Sequence, residues 1–295
     1  MKEFTLFFRG VERWLLEDAP PLYPWPFGEG ILFTTYSFQW LSDLICEPNF
    51  SLRDLIGSNV SIFIDSGAYS AAAMNITLDV YEINEIHYLL EGDYIVPLDY
   101  IIFPSDSKGT IREKVQQTID NTVSLLEMKS NRSIVIGPLQ GNSAETIASM
   151  YDRFREIGID HFAIGGLLFK PLKEAIKVIE IARQITRGQQ LHVFGKFLHP
   201  QLLKIPIFSG VDSVDGAAYL AKSLQGWYID PINYKYTPVS SLEEELVCSC
   251  QICRDTSVMD LQRGDFESQL FLIEHNIHKL KEIKRLYQKE QNPSD

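Results

Sequence analysis

Cysteine is scarce in this sequence, acidic side chains outnumber basic ones, and long hydrophobic runs are missing. Of four cysteines in 295 residues, three are crowded into CSCQIC, Cys248 to Cys253. No stretch approaches the roughly 20 uncharged apolar residues of a membrane span. The opening MKEFTLFFRGVERW carries too many charges for a signal peptide. A cytoplasmic protein without a membrane partner is therefore the expectation. In a reducing compartment clustered cysteines serve as metal ligands or catalysts rather than disulfides, and Cys248 and Cys250 are too close for easy bridging. A formal net charge of −12 is the wrong sign for a protein that coats nucleic acid, and leaves room only for a local basic face. No GxGxxG or Walker-type glycine loop follows the early strand-like runs, which argues against dinucleotide and nucleoside-triphosphate enzymes. Internal repeats and low-complexity tracts are also lacking.

What is present is a series of short β-branched runs: GILFTTYSF, NVSIFIDSGAYS, DYIVPLDYI, RSIVIGPLQG, DHFAIGGL, LHVFGKF and VDSVDG. Runs this apolar suit strands buried on both faces. Between them lie YEINEIHYLLE, TIREKVQQTIDNTVSLLEMK, SAETIASMYDRFREIG and PLKEAIKVIEIARQITRG, with apolar residues three or four apart and Ser, Thr or Pro at several starts. This alternation predicts a parallel α/β fold. A (β/α)8 TIM-type barrel of about 250 residues fits the length better than a doubly wound sheet. Toward the end, FESQLFLIEHNIHKLKEIKRLYQKE reads as one long amphipathic helix with Phe266, Leu270, Ile273, Ile277, Leu280 and Ile283 on its apolar stripe.

Cys248, Cys250 and Cys253 form a C-x-C-x-x-C cluster whose short spacing lets three thiolates converge on one ion. Zinc takes four ligands in a tetrahedron, so a fourth must come from elsewhere; the final helix offers His275, with His278 one turn on as the alternative. A closed Cys3His zinc site is structural, pinning the helix to the preceding loop. Read as ordinary packing, the cysteines would be small buried hydrophobes, which three closely spaced, polar-flanked positions make a poor account.

In a barrel, catalytic groups come from the carboxyl ends of several strands. Those positions are Asp65, Asp99, Gln140, Gly165 with Gly166, Gly195 and Asp215. Any single aspartate there could instead cap the next helix. Three aspartates, a glutamine and a glycine pair on successive strands are harder to explain that way.

The segments DSGAYS, PLDY, PLQG, IGGL, FG, GVDSVDG, CSCQIC and EHNIH, in this order, resemble the tRNA-guanine transglycosylase superfamily over roughly residues 60 to 280. The resemblance implies a zinc-bearing barrel that exchanges guanine in a polynucleotide for a 7-deazaguanine. It implies Asp215 as the nucleophile of a covalent glycosyl-enzyme and Asp65 as the group moving the proton to and from the base. Asp99 would accept from the amidine-like edge of guanine, while Gln140 and the Gly166 backbone amide would meet its carbonyl edge, with Gly165 beside it in the substrate-binding set. Tyr69 and Phe194 would stack on the base, and Gly195 would permit close approach; ordinary core packing is the competing account of both aromatic rings.

Departures from the family pattern refine this expectation. Ala68 stands where the family usually has glycine and Ser70 where glutamine is common, while DGAAYLAKSLQGWY lacks the Leu-Pro-Thr-Arg segment with which the bacterial tRNA enzymes of the family handle tRNA. The chain also reads as compact, with no extra RNA-binding domain. Together these features look more like the DpdA-type branch, which places 7-deazaguanines in DNA. The expected substrates are thus DNA, with tRNA as the alternative, and a 7-deazaguanine base such as 7-cyano-7-deazaguanine. A catalytically silent transglycosylase-like binding subunit is a further alternative, and whether the chain forms a homodimer stays open. Lys196, Lys222 and the lysines of the final helix are the candidate phosphate contacts. The expected organisation is a barrel core with an N-terminal extension over 1–237, a zinc-binding subdomain over 238–280, and the helix end and tail over 281–295.

Overall fold

The computed structural model describes residues 4–11, 27–57, 59–141, 143–243 and 246–291. Eight parallel strands close into a barrel in chain order: β1 Thr5–Arg9, β2 Gly30–Thr34, β3 Ser61–Asp65, β4 Tyr94–Ile95, β5 Ile134–Leu139, β6 His161–Ile164, β7 Gln190–Val193 and β8 Ser213–Gly216. Closure is made by β8 against β1, with Val214 opposite Leu6 and Asp215 opposite Phe7. Seven strands are the expected β-branched runs. The eighth, β1, is short and embedded in a charged leader-like segment, so its pattern carried no strand signal on its own; pairing on both sides is what makes it a strand.

Successive side chains alternate across each strand. Phe7, Leu32, Phe63, Val96, Ile136 and Ala163 pack together inside the barrel, while Leu6, Phe8, Ile62, Ile64, Val193 and Val214 join the larger core beneath the helices. The same alternation sets Asp65 on the inner face with Phe63, His192 with Phe194, and Asp215 with Ser213. Helices Val80–Leu90, Lys108–Met128, Ala144–Glu156 and Leu172–Ile185 follow the expected stretches. Three begin at polar caps: Asp79 accepts from the amides of Tyr81 and Glu82, Ser107 from that of Thr110 and Ser143 from that of Thr146.

After the barrel come an antiparallel pair, β9 Trp227–Ile229 and β10 Tyr236–Pro238, and the helix Phe266–Gln291, which runs through position 280 without a break. Leu270, Ile273, Ile277, Leu280 and Ile283 are buried as the stripe requires, whereas Phe266 in its first turn is exposed.

Three of the lysines of this helix are engaged within the protein, while Lys289 is exposed. Lys284 is buried, and its Nζ donates to the Phe4 carbonyl at 2.7 Å and to Glu29 Oε2 at 2.8 Å. Lys281 donates to the Phe27 carbonyl, and buried Lys279 pairs with Glu282. Phe4 and Glu29 precede β1 and β2, so these contacts tie the helix to the end of the barrel opposite the strand carboxyl ends. The stretch 12–26 of the expected N-terminal extension and the tail 292–295 lie outside the described residues. Among the described residues, no helix is long and apolar enough to cross a membrane.

Candidate active site and metal centre

A cavity of about 150 Å³ opens at the carboxyl ends of the strands. Asp65, Tyr69, Asp99, Gln140, Gly165, Gly166, Phe194, Gly195 and Asp215 all line it, so every residue expected for catalysis or base recognition meets at one place. None of the three aspartates caps a helix. The helices after Asp65 and Asp215 have Gly67 and Ala217 at their caps and no side-chain cap bond.

The carboxyls are held differently. Asp215 Oδ1 accepts the Gly195 amide at 2.8 Å and faces His192 Nε2 at 3.2 Å. Burial and the neighbouring charge of Asp215 push Asp65 up to about 6, against the pull of the Gly67 amide and the Arg9 guanidinium. Burial and the charge of Asp65 push Asp99 up to about 7. Two inward carboxyls therefore carry protons readily near neutrality, and the third sits on two nitrogen donors. Such divergence is how one site obtains separate acid and base roles.

Gln140 is fully buried and already committed: its Oε1 accepts from the Ile102 amide at 2.9 Å and its Nε2 donates to Asp99 Oδ2. It orients Asp99 and has one amide hydrogen left for a ligand. Ser66 Oγ donates to the other Asp99 oxygen at 3.4 Å. Gly195 has φ +97, which an L side chain rarely adopts, and a Cβ there would lie 3.2 Å from Leu168 Cγ. The bare backbone is what lets this amide reach Asp215.

Tyr69 is 41% exposed, so core packing does not account for it; its ring lies 5.5 Å from that of Phe169, itself 45% exposed. Phe194 is half-buried, edge-on to Phe63 and His192. Sequence reasoning missed His192, Ser66, Arg9 and Phe169. His192 lies two residues before Phe194 and so shares its face of β7, but that alternation alone does not separate a role at the site from packing.

The thiols of Cys248, Cys250 and Cys253 and a ring nitrogen of His275 all lie within 4.8 Å of one another, almost wholly buried. His275 Nε2 donates to the Ile229 carbonyl at 2.9 Å, which leaves Nδ1 as the lone-pair nitrogen; Nδ1 lies 3.4 Å from Cys250 Sγ and 3.2 Å from Cys253 Sγ. A ligand histidine is typically oriented by such a bond from its other nitrogen. Three thiols crowded in one buried pocket ionise together only around a shared cation. The donor set thus fits a closed zinc centre, with no position left for a reacting water. His278 faces Glu274 and the Phe27 ring instead. Asn276 completes the clamp: its Oδ1 accepts the Ile229 amide, and its Nδ2 donates to Ser223 Oγ and the Trp227 carbonyl.

Comparison with known proteins places the chain in a family. The profile of the family described as queuine tRNA-ribosyltransferase matches residues 35–289. The chain belongs to that family. Similar proteins include the tRNA-guanine(15) transglycosylase of Methanosarcina barkeri, 25% identical over 89% of this chain and 54% of that protein. Those of Sulfolobus acidocaldarius and Saccharolobus solfataricus are 26% and 27% identical, each over 78% of this chain and 48% of their own length. The chain thus spans about half the length of the curated relatives it matches.

Proposed function

We propose that the protein is a base-exchanging pentosyltransferase that replaces guanine in a polynucleotide with a 7-deazaguanine. The observation that carries this is the convergence of three unequal carboxyls on one small cavity: Asp215 on two donors, Asp65 and Asp99 pushed up to about 6 and about 7. Asp215 attacks the anomeric carbon while the bond to guanine breaks, and the departing base takes the bonding electrons and the proton of Asp65. A covalent glycosyl-aspartate results. The incoming base then gives its ring N–H proton to the Asp65 carboxylate and attacks the same carbon, releasing Asp215. Protons and electrons balance over the cycle with no redox partner. Asp99, ionised on binding, accepts from the N–H groups of guanine that adenine lacks, and Gln140 holds it in place. The zinc centre, loaded, supplies rigidity and no reaction step.

The relatives' names favour tRNA as the polymer, so the DNA expectation becomes the second reading. Its support is the sequence after Asp215, where DGAAYLAKSLQGWY, partly the helix Ala218–Leu224, lacks the Leu-Pro-Thr-Arg of the bacterial tRNA enzymes. Retention of both Asp65 and Asp215 in the cavity weighs against a silent binding subunit.

Nucleoside mass spectrometry of tRNA and of DNA, each incubated with the protein and a 7-deazaguanine base, tests both parts. Exchange into tRNA is expected; exchange into DNA alone would reverse the choice of polymer. Asp215→Asn should abolish the covalent adduct on a denaturing gel. Asp65→Asn should slow exchange by about 10²–10⁴-fold and still form adduct slowly. Full activity in both variants would sink the transglycosylase reading.

A further inference from the structure

Among the described residues, His192 is the titratable side chain in hydrogen-bond contact with Asp215 that the reaction as written does not use. It is 3% exposed, on β7, inside the barrel. Its ring is wedged against Phe63 at 4.7 Å, Phe194 at 4.8 Å and Phe7 at 5.8 Å, so it cannot swing away without moving three aromatic rings. Nδ1 lies 2.9 Å from Ser213 Oγ, and Nε2 lies 3.2 Å from Asp215 Oδ1. An ionised carboxylate only accepts hydrogen bonds, so Nε2 must carry the hydrogen. In the tautomer with the hydrogen on Nε2, Nδ1 is an acceptor, and the Ser213 hydroxyl is free to rotate and donate to it.

We infer that His192 is a positioning residue for the nucleophile, and that it selects which oxygen of Asp215 attacks. This rests on Asp215 being the nucleophile. The terminal torsion of an aspartate is broad and nearly two-fold, so an unrestrained carboxylate presents its oxygens over a wide arc. Here both the Gly195 amide and His192 Nε2 bind Oδ1. Two donors on one oxygen fix the plane of the carboxylate and lower the nucleophilicity of that oxygen. Oδ2, which has no hydrogen-bond partner among the described residues, is left as the attacking atom. Ser213, two residues before Asp215 on the same face of β8, sets the histidine tautomer. The chain of control thus runs Ser213, His192, Asp215, below a cavity that His192 itself does not line. Holding the reacting atom in line is worth orders of magnitude in rate, and a residue below the substrate can supply it without contributing to affinity.

Three variants separate this from a space-filling role. Glutamine carries its amide nitrogen near the place of Nε2 and can still reach Asp215; asparagine reaches only as far as Nδ1; phenylalanine keeps the ring and removes both nitrogens. Single-turnover adduct formation and steady-state exchange are measured for the zinc-loaded full chain. His192→Asn and His192→Phe should lower kcat by about ten- to hundred-fold, as expected for one lost bond to a charged group, with KM for the base unchanged. His192→Gln should recover most of that loss. Asparagine and glutamine variants that are equally stable and equally fast overturn the proposal, as does a loss confined to KM. If the phenylalanine variant does not fold, the Gln and Asn pair decides. A wild-type protein silent on both tRNA and DNA sinks the transglycosylase reading and this inference with it. An active wild type matched by His192→Asn sinks this inference alone.

Discussion

Asp99 is pushed further from its ordinary value than Asp65. Its ordinary value of 3.8 in the unfolded chain rises to about 7 in the fold. The folded state therefore binds the proton more tightly. The stability this contributes is fully present below the unfolded value and is lost as pH rises through about 7. Asp99→Asn should consequently be stabilised relative to the wild type on going from about pH 5 to about pH 8, by an amount on the order of 2–4 kcal/mol. Denaturant midpoints at the two pH values check this, and parallel profiles for the two proteins would contradict the burial argument. Asp65, pushed up to about 6, contributes in the same direction over a lower range. The three aspartates were legible in sequence because a carboxylate ending an apolar strand has few structural uses. His192 was not, because a lone histidine in LHVFG is equally at home as packing, and its meaning depends on β8 lying alongside.

At the scale of elements, the helix Phe266–Gln291 is legible as an amphipathic stripe, but what it grips is not. The His275–Asn276 pair captures both polar groups of Ile229, His275 taking the carbonyl and Asn276 the amide, while Tyr228 stacks on the His275 ring at 4.1 Å. Hydrogen bonds from the helix thus hold one strand of the small hairpin, through the same histidine that faces the thiols. Cys250→Ser or His275→Ala should lose zinc and stability together, because a closed site contributes folding free energy. Asn276→Ala should keep the zinc and lose about 1–3 kcal/mol, since it strands the buried Ile229 amide. Zinc analysis paired with thermal denaturation distinguishes these effects; a metal-free Cys250→Ser protein with an unchanged melting temperature would refute the structural role. β1 was illegible for the complementary reason. Its five residues acquire strand character only from β2 and β8, and no local period announces barrel closure.

At the scale of the molecule, the proposed polynucleotide substrate has to be reconciled with a net charge of −12. The cations credited with this from sequence are largely committed elsewhere. Lys279, Lys281 and Lys284 are tied into the helix and the far end of the barrel, Lys222 lies over the Trp227 ring, and Lys196 donates to the Lys170 carbonyl. A different cluster lies near the site: Lys108, Arg112 and Arg153 line a groove of about 780 Å³ between the helices that follow β4 and β5, with Glu145 as the single acid. Both helices begin at the carboxyl ends of their strands, so the groove starts on the same end of the barrel as the cavity. With the three cations of this groove as the phosphate contacts, polymer binding should weaken with salt along a slope of about −2 to −3 in log–log form, since each phosphate contact contributes roughly −0.7 to −0.9. Arg112→Glu should weaken binding across sequences and flatten the slope by about 1, whereas Lys289→Glu at the exposed far end of the C-terminal helix should leave it unchanged. Fluorescence anisotropy with labelled tRNA at several salt concentrations measures both. A slope that responds to Lys289 and ignores Arg112 would move the polymer path to the C-terminal helix and away from the groove beside the cavity.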